Sequence, residues 1–251
     1  MGKLTNQIHE VIGMLKATDI NGCITGSSML PDVDFDTWDN VPDVDVFVYN
    51  ESQLLYATDL LMYKYGFEPI TEGEIWKIKR VREFGFQTRA PLSTLKLGLG
   101  DVVVNVTWKK GKTGMISVLE SFDMTAIMIG YDIRHKFGID MRCRNIEVFD
   151  DQGAWPEHPW IAKPNPLRDQ DVDMYGTEMW VRQFDRVIKY WKRGIDTRPM
   201  AKFYIELIDG VIKKGQLFQT DKSTQAYQEF ITTYEPLREK MVAWLKDKED
   251  L

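Results

Sequence analysis

Two aspartates, Asp43 and Asp45, lie one residue apart in the apolar run that ends at Tyr49. Successive side chains of a strand point to opposite faces, so Val44 and Val46 can enter a core while both carboxylates leave it together. Two residues of strand put the carboxylates roughly 6 to 7 Å apart along the backbone. Like charges this close repel unless a cation or strong donors lie between them. The spacing therefore predicts a site for a divalent ion, Mg²⁺ or Mn²⁺, at Asp43 and Asp45.

A glycine turn precedes these aspartates. The segment from Asn21 to Thr25 has the pattern of a short buried strand, and Gly26 follows it directly. Glycine permits a tight bend, in which the amides and hydroxyls of Ser27 and Ser28 can face a phosphate group. We therefore expect Gly26, Ser27 and Ser28 to bind phosphate.

The segment from Gly26 to Asp45 resembles the signature of the DNA polymerase beta-like nucleotidyltransferase superfamily. That signature is an apolar strand, Gly-Ser, a spacer, and then Asp-apolar-Asp-apolar. Two further segments, ESFDMTAIMIGYD and RQFDRVIKYWKRGID, are similar to segments of uncharacterised viral and phage nucleotidyltransferase-like proteins. These two segments are residues 120–132 and 182–196.

The resemblance implies transfer of an NMP from an NTP, such as ATP, to an acceptor. Asp43 and Asp45 would hold two magnesium ions that bridge the triphosphate, and Gly26, Ser27 and Ser28 would hold the outer phosphates. The acceptor stays open between RNA or tRNA, a protein side chain, a small molecule and a second nucleotide, because fold does not determine function.

The superfamily usually has a third carboxylate on a later strand. The best strand candidate here runs from Asp101 to Trp108, and the position that aligns with the third carboxylate is Asn105. An amide can coordinate an ion through its carbonyl oxygen but cannot act as a base. Asp101 would take this place in a different strand register, and Asp123 is a reserve candidate. The alternative function is therefore a catalytically impaired nucleotide- or RNA-binding protein, for example a phage-encoded inhibitor or sponge.

The spacer from Ser28 to Pro42 is longer than is usual in the superfamily and is acidic. The segment from Asp32 to Asp36 has the pattern Asp-x-Asp-x-Asp, which also occurs in calcium-binding loops. It lacks the glycine and the closing glutamate of an EF-hand, so a calcium loop or a solvated turn is the alternative interpretation.

Basic residues recur at helical spacing near the C-terminus. Arg182, Arg186, Lys189 and Arg193 are predicted to form a ridge opposite an apolar stripe that includes Phe184. Arg186 and Lys189 are candidates for a clamp on the NTP triphosphate or on the backbone of an RNA. A solvated helix face is the alternative.

Composition limits the class of protein. The 251 residues carry a formal charge of −6, and the pI near 5.2 argues against a broad nucleic-acid-coating surface. Two cysteines indicate a reducing compartment without a disulfide framework, and three scattered histidines make a zinc site improbable. Without a predicted signal peptide or a membrane-spanning run, we expect a cytoplasmic protein, in the host cytoplasm if it is phage-encoded. The sequence does not indicate an oligomeric state.

The order of predicted elements is that of an α+β protein. We predict a nucleotidyltransferase-like mixed sheet with flanking helices in residues 1–150, a Pro-rich connection in 151–173 and a helical domain in 174–251. Helices are expected over residues 4–15 and 51–65, and another is expected to begin near Ser121 or Asp123. Short strands are expected at residues 67–70, 75–81, 84–88, 94–99 and 102–108.

Overall fold

In a computed structural model, the protein is a mixed α+β molecule. The structure describes residues 2–30, 33–38, 43–70, 79–81, 92–143, 145–150, 160–166, 177–218 and 225–249. The described residues form two compact units, the first up to residue 150 and the second from residue 160 onwards. The predicted Pro-rich connection lies largely outside the described residues, as do the predicted strand at 84–88 and the first four residues of the strand predicted at 75–81.

A nine-stranded mixed sheet is the centre of the first unit. Its strands are β1 (Gly22–Thr25), β2 (Val44–Val48), β3 (Glu68–Pro69), β4 (Lys79–Val81), β5 (Leu92–Leu99), β6 (Val102–Lys109), β7 (Ile129–Asp132), β8 (Phe137–Asp140) and β9 (Glu147–Asp150). The strand order is β3-β5-β6-β2-β1-β7-β8-β9, and β4 also pairs with β5. Among these named strands, β2 and β6 are the one parallel pair.

Six α-helices accompany the sheet in the described parts of the chain. They are α1 (Lys3–Lys16), α2 (Glu51–Tyr65), α3 (Met115–Leu119), α4 (Thr177–Lys192), α5 (Arg198–Phe218) and α6 (Gln225–Glu249), of which the last three belong to the second unit. The predicted helices at residues 4–15 and 51–65 correspond to α1 and α2. Gly66 ends α2 with a φ of 73°, a left-handed conformation that glycine adopts at little cost.

The two faces of the sheet carry different groups. Val44, Val46 and Val48 are almost completely buried on one face, where the Lys16 ammonium of α1 lies 4.1 Å from the centre of the Tyr131 ring. On the other face, α3 packs against an apolar cluster that includes Cys23. Because successive strand residues point to opposite faces, the side chains of Asp43 and Asp45 lie on this second face, away from the valines.

The acidic spacer supports the start of α1. Asp36 accepts hydrogen bonds from the backbone amides of Leu4 and Thr5, both over 3.0 Å. The Thr5 hydroxyl donates to Asp34 Oδ1 over 3.0 Å. The bonds that Asp36 accepts, first of all from the Thr5 amide and then from the Leu4 amide, hold the pKa of Asp36 below its usual value. Asp34 and Asp36 therefore serve a helix N-terminus, which does not favour the calcium-loop alternative; Asp32 lies outside the described residues.

The helix predicted to begin near Ser121 or Asp123 is wrong. The chain forms the short α3 before these residues and a single 3₁₀ turn at Thr125–Ile127 after them. It then enters β7, which pairs with β1. A Cβ atom at Gly130 would lie 3.2 Å from the carbonyl oxygen of Ile24, so the absence of a side chain allows this close pairing. Tertiary pairing here overrides the local helical pattern.

Candidate metal and phosphate site

Strand β2 presents the two aspartates as a pair. Its buried valines alternate with the half-buried Asp45 and Phe47, and Asp43 is also half-buried just before the strand begins. Both carboxylates therefore reach the face opposite the valine core while remaining partly accessible to solvent.

Asn105 completes this group. It lies directly beside Asp45 in the parallel pairing of β2 with β6. Its Nδ2 donates to Asp43 Oδ2 over 2.9 Å and to Asp45 Oδ1 over 3.0 Å. Asp101 does not take this position, because it precedes β6 and its exposed carboxylate lies 3.5 Å from the Lys3 ammonium. The residue expected at the third position is thus in contact with both aspartates.

The glycine turn lies beside Asp45. Gly26 has a φ of 81°, and a Cβ atom there would be only 2.7 Å from Asp45 Oδ2. Glycine is required here both by the left-handed conformation and by the close carboxylate. Ser27 and Ser28 follow in a buried 3₁₀ turn, where the Ser28 hydroxyl donates to the Thr25 carbonyl over 3.4 Å. Of the three predicted phosphate-binding residues, Gly26 therefore has its backbone directly beside the Asp45 carboxylate.

Sequence reasoning missed two neighbours of the site. Thr25 lies opposite Asp45 in the pairing of β1 with β2, and Lys96 lies opposite Asn105 in the pairing of β5 with β6. Directly opposed residues share a face of the sheet, so the row runs from Lys96 through Asn105 and Asp45 to Thr25. The strand partners could not be read from the sequence, although Thr25 directly precedes the predicted glycine turn.

Two buried oxygen atoms in this row lack a hydrogen-bond partner within the described parts of the chain: Thr25 Oγ1 and Asn105 Oδ1. Thr25 is fully buried, and Asn105 is 9% exposed. Buried polar atoms in native proteins are nearly always bonded, so unsatisfied atoms on both sides of one carboxylate indicate a place for a ligand.

The side chains gathered here offer oxygen atoms and a net negative charge. Carboxylate and amide oxygens are the ligands that Mg²⁺ and Mn²⁺ prefer, so Asp43, Asp45 and Asn105 fit such an ion. No group of three or more His, Cys, Asp or Glu side chains among the described residues is arranged to hold a metal. The candidate site has only two carboxylates because its third member is an amide.

A second polar cluster lies on the same face of the sheet, and we call it the Asp132 network. The buried carboxylate of Asp132 accepts hydrogen bonds from the Tyr49 hydroxyl over 2.7 Å and from the His135 backbone amide over 2.8 Å. The His135 ring lies 3.0 Å away through Nδ1. Burial raises the pKa of Tyr49, with further contributions from Cys23 and Asp132, and burial also raises the pKa of the Cys23 thiol. Tyr49 therefore stays protonated and remains a donor to Asp132.

The basic ridge predicted on α4 is not uniformly exposed. Lys189 is exposed, whereas Arg186 is half-buried with its guanidinium 6.0 Å from the centre of the Tyr190 ring. Arg193 is buried and lies 5.6 Å from the same ring, so its place in a solvent-facing ridge is wrong. Phe184 and Val187 are buried, as the apolar stripe predicts. The side chain of Arg182 lies outside the described residues.

Neither a protein-family model nor a curated protein matches the chain. In the part of the chain that the structure describes, no helix combines the length and apolar character needed to cross a membrane.

Proposed function

We propose that the protein is a metal-dependent nucleotidyltransferase that moves an NMP from an NTP to an acceptor. One observation carries this proposal: Asp43, Asp45 and Asn105 meet on one sheet face, directly beside the Gly26 turn. The proposal includes a nucleotidyltransferase-like fold in the first unit, a helical domain in residues 174–251 and a cytoplasmic location.

In this proposal each residue has a defined task. Asp43 and Asp45 bind the divalent ion through half-buried carboxylates, and Gly26 keeps the backbone of the turn close to Asp45 without a side chain in between. Before an ion binds, Asn105 holds the two carboxylates in a fixed relation through its Nδ2 group. A bound Mg²⁺ or Mn²⁺ would offset the charge of the triphosphate and lower the pKa of the acceptor hydroxyl.

Substitution of Asp45 by alanine tests the proposal. Asp45→Ala should abolish Mg²⁺-dependent NTP binding in calorimetry and remove pyrophosphate release, because one of two anionic ligands is lost. The fold should be intact, since removal of one like charge relieves repulsion. Asp101→Ala, which removes an exposed carboxylate outside the site, is the matched control. Equal Mg²⁺-dependent affinity in wild type and Asp45→Ala would show that the site is misassigned.

A second candidate function is a nucleotide- or RNA-binding protein that has lost turnover. The observation in its favour is that the third position holds a neutral amide, which cannot act as a base. This candidate expects Mg²⁺-dependent NTP binding without pyrophosphate release, whichever RNA, protein or small-molecule acceptor is supplied. Release with any acceptor would exclude it.

Arg186 and Lys189 are the proposed phosphate contacts of the second unit. Reversal of both residues to glutamate should weaken binding of a triphosphate or of RNA at least tenfold, about 1.4 kcal/mol, and flatten the salt dependence of RNA binding. Each reversal should also be made singly, and Lys240→Glu on α6, an exposed position, is then the control with the same change of charge. Unchanged affinity for both ligands at low salt would show that this helix face is a solvated surface that binds no phosphate.

A further inference from the structure

The amide of Asn105 lies between the two carboxylates of the candidate site. Its single Nδ2 donates to Asp43 over 2.9 Å and to Asp45 over 3.0 Å. A carboxylate only accepts hydrogen bonds, so an amide that faces two of them must present its NH₂ group. The neutral amide thus reduces the repulsion between the two carboxylates, which in its absence a bound cation would have to offset.

The opposite end of this amide is unsatisfied. Asn105 Oδ1 is buried and, within the described residues, has no hydrogen-bond partner. Thr25 Oγ1, on the other side of Asp45, is likewise buried and has no hydrogen-bond partner among the described residues. A fully structural asparagine in a sheet would be expected to satisfy both ends of its amide. The arrangement is therefore suited to a protein that awaits a ligand at this position.

A half turn about χ2 exchanges Nδ2 and Oδ1. The terminal amide torsion is broad and roughly two-fold, so both orientations are accessible. An ion held by Asp43 and Asp45 would repel the NH₂ hydrogens, whereas a carbonyl oxygen is a ligand that Mg²⁺ and Mn²⁺ accept. We propose that ion binding turns the Asn105 amide over, so that Oδ1 becomes the third protein ligand of a single-ion site.

Charge determines the number of ions. Asp43 and Asp45 carry two negative charges, which one divalent ion neutralises. A second ion would meet a cluster with no net negative charge and with only neutral oxygens left to hold it, so repulsion between the ions opposes its entry. This inference rests on the proposed ion site and adds both the stoichiometry and the role of Asn105.

The wild-type protein provides the first test, without nucleotide. Titration with Mn²⁺, followed by the electron paramagnetic resonance of the free ion, should give one ion per chain. In protein labelled with ¹⁵N-asparagine, the Asn105 NH₂ signals, assigned by their loss in Asn105→Asp, should shift with Mg²⁺ and stop shifting at one equivalent. Two Mn²⁺ ions per chain, or NH₂ signals that stay in place while Mg²⁺ binds, would overturn the proposal.

Variants at position 105 provide the second test. Asn105→Asp should bind Mn²⁺ at least tenfold more tightly and admit a second ion, because it adds a third carboxylate. Asn105→Leu, of similar size, should bind about tenfold more weakly because a ligand oxygen is lost. Thr107→Val is the matched control, since Thr107 faces the same side of β6 but its hydroxyl lies 3.0 Å from that of Thr94.

The outcomes separate this inference from the proposed function. Equal or tighter Mn²⁺ binding by Asn105→Leu would mean that the amide oxygen is not a ligand of the ion, and would overturn the inference alone. Full Mn²⁺ affinity in Asp45→Ala would instead overturn the ion site itself. If Asn105→Leu does not fold, the wild-type NH₂ signals still decide the question.

Discussion

Two polar clusters share one face of the sheet, one built on Asp132 and the other on Asp43 and Asp45, and they differ in how fully their polar atoms are bonded. In the Asp132 network, both oxygens of a buried carboxylate accept hydrogen bonds, from Tyr49 and from His135. At Asp43 and Asp45, a single amide bridges two half-buried carboxylates, and a buried oxygen on either side lacks a partner.

The difference indicates what each group is for. A buried carboxylate with every oxygen bonded contributes to a unique fold and has little capacity left for a ligand. Two like charges held close together, beside unsatisfied buried oxygens on Thr25 and Asn105, lower stability, and such an arrangement is typical of a binding or catalytic site. We therefore expect substitutions in the Asp132 network to change stability, and substitutions near Asp45 to change ion binding.

The largest effect is expected at Asp132. Asp132→Ala leaves the buried Tyr49 hydroxyl and the His135 amide without their acceptor. Each unsatisfied donor costs about 1 to 3 kcal/mol, so the free energy of unfolding should fall by about 3 kcal/mol. Urea denaturation measures the loss, and Mn²⁺ affinity measured in the same samples should stay within twofold of wild type. His135→Ala, which removes a mostly exposed ring, is the control. Loss of Mn²⁺ binding in folded Asp132→Ala would erase the distinction between the two groups.

A smaller effect is expected at Gly26. Gly26→Ala places a Cβ atom at a φ of 81° and 2.7 Å from Asp45 Oδ2, so it should cost about 1 to 2 kcal/mol and displace the carboxylate. Gly66→Ala is the matched control, because its φ is 73° but no atom lies within 4 Å of the new Cβ. Both variants should lose stability in urea denaturation. Only Gly26→Ala should bind Mn²⁺ more weakly, by about tenfold, and equal Mn²⁺ affinity in the two variants would contradict the role of the turn.

The smallest effect is expected at Thr25, with the opposite sign. Thr25→Val removes a buried hydroxyl without a described partner and should raise unfolding free energy by about 1 kcal/mol. Thr58→Val is the control, because the buried Thr58 hydroxyl donates to the Leu54 carbonyl over 2.7 Å and its removal should destabilise by about 1 kcal/mol. If Thr25→Val destabilises as much as Thr58→Val, the oxygen beside Asp45 is satisfied and the contrast between the two groups is weakened.

Local patterns predicted the elements that carry the aspartates. Alternation placed Asp43 and Asp45 away from the valine core, and the apolar spacing of α1 agrees with the burial of Ile8 and Leu15. The helix predicted at residues 51–65 followed from its apolar pattern, and in the structure its limits coincide with local signals, an Asn50 side chain that accepts from the Gln53 amide and the glycine at position 66.

Long-range pairing could not be predicted. That Asn105 lies beside Asp45, with Thr25 and Lys96 in the same row, depends on strand order and register. Register is specified by the packing of the whole sheet, which no single segment contains. The error over β7 has the same origin, because its partner β1 precedes it by about a hundred residues.

The parallel pairing of β2 with β6 has a consequence for the order of folding. Asn105 is 62 residues from Asp43 and 60 from Asp45 along the chain. Entropy opposes the closure of so long a loop, and contacts between distant residues slow folding. We expect the two carboxylates to be paired on β2 before the amide that separates them arrives. Until that step they lie near each other without the Asn105 amide between them, and the site is completed only when β6 pairs with β2.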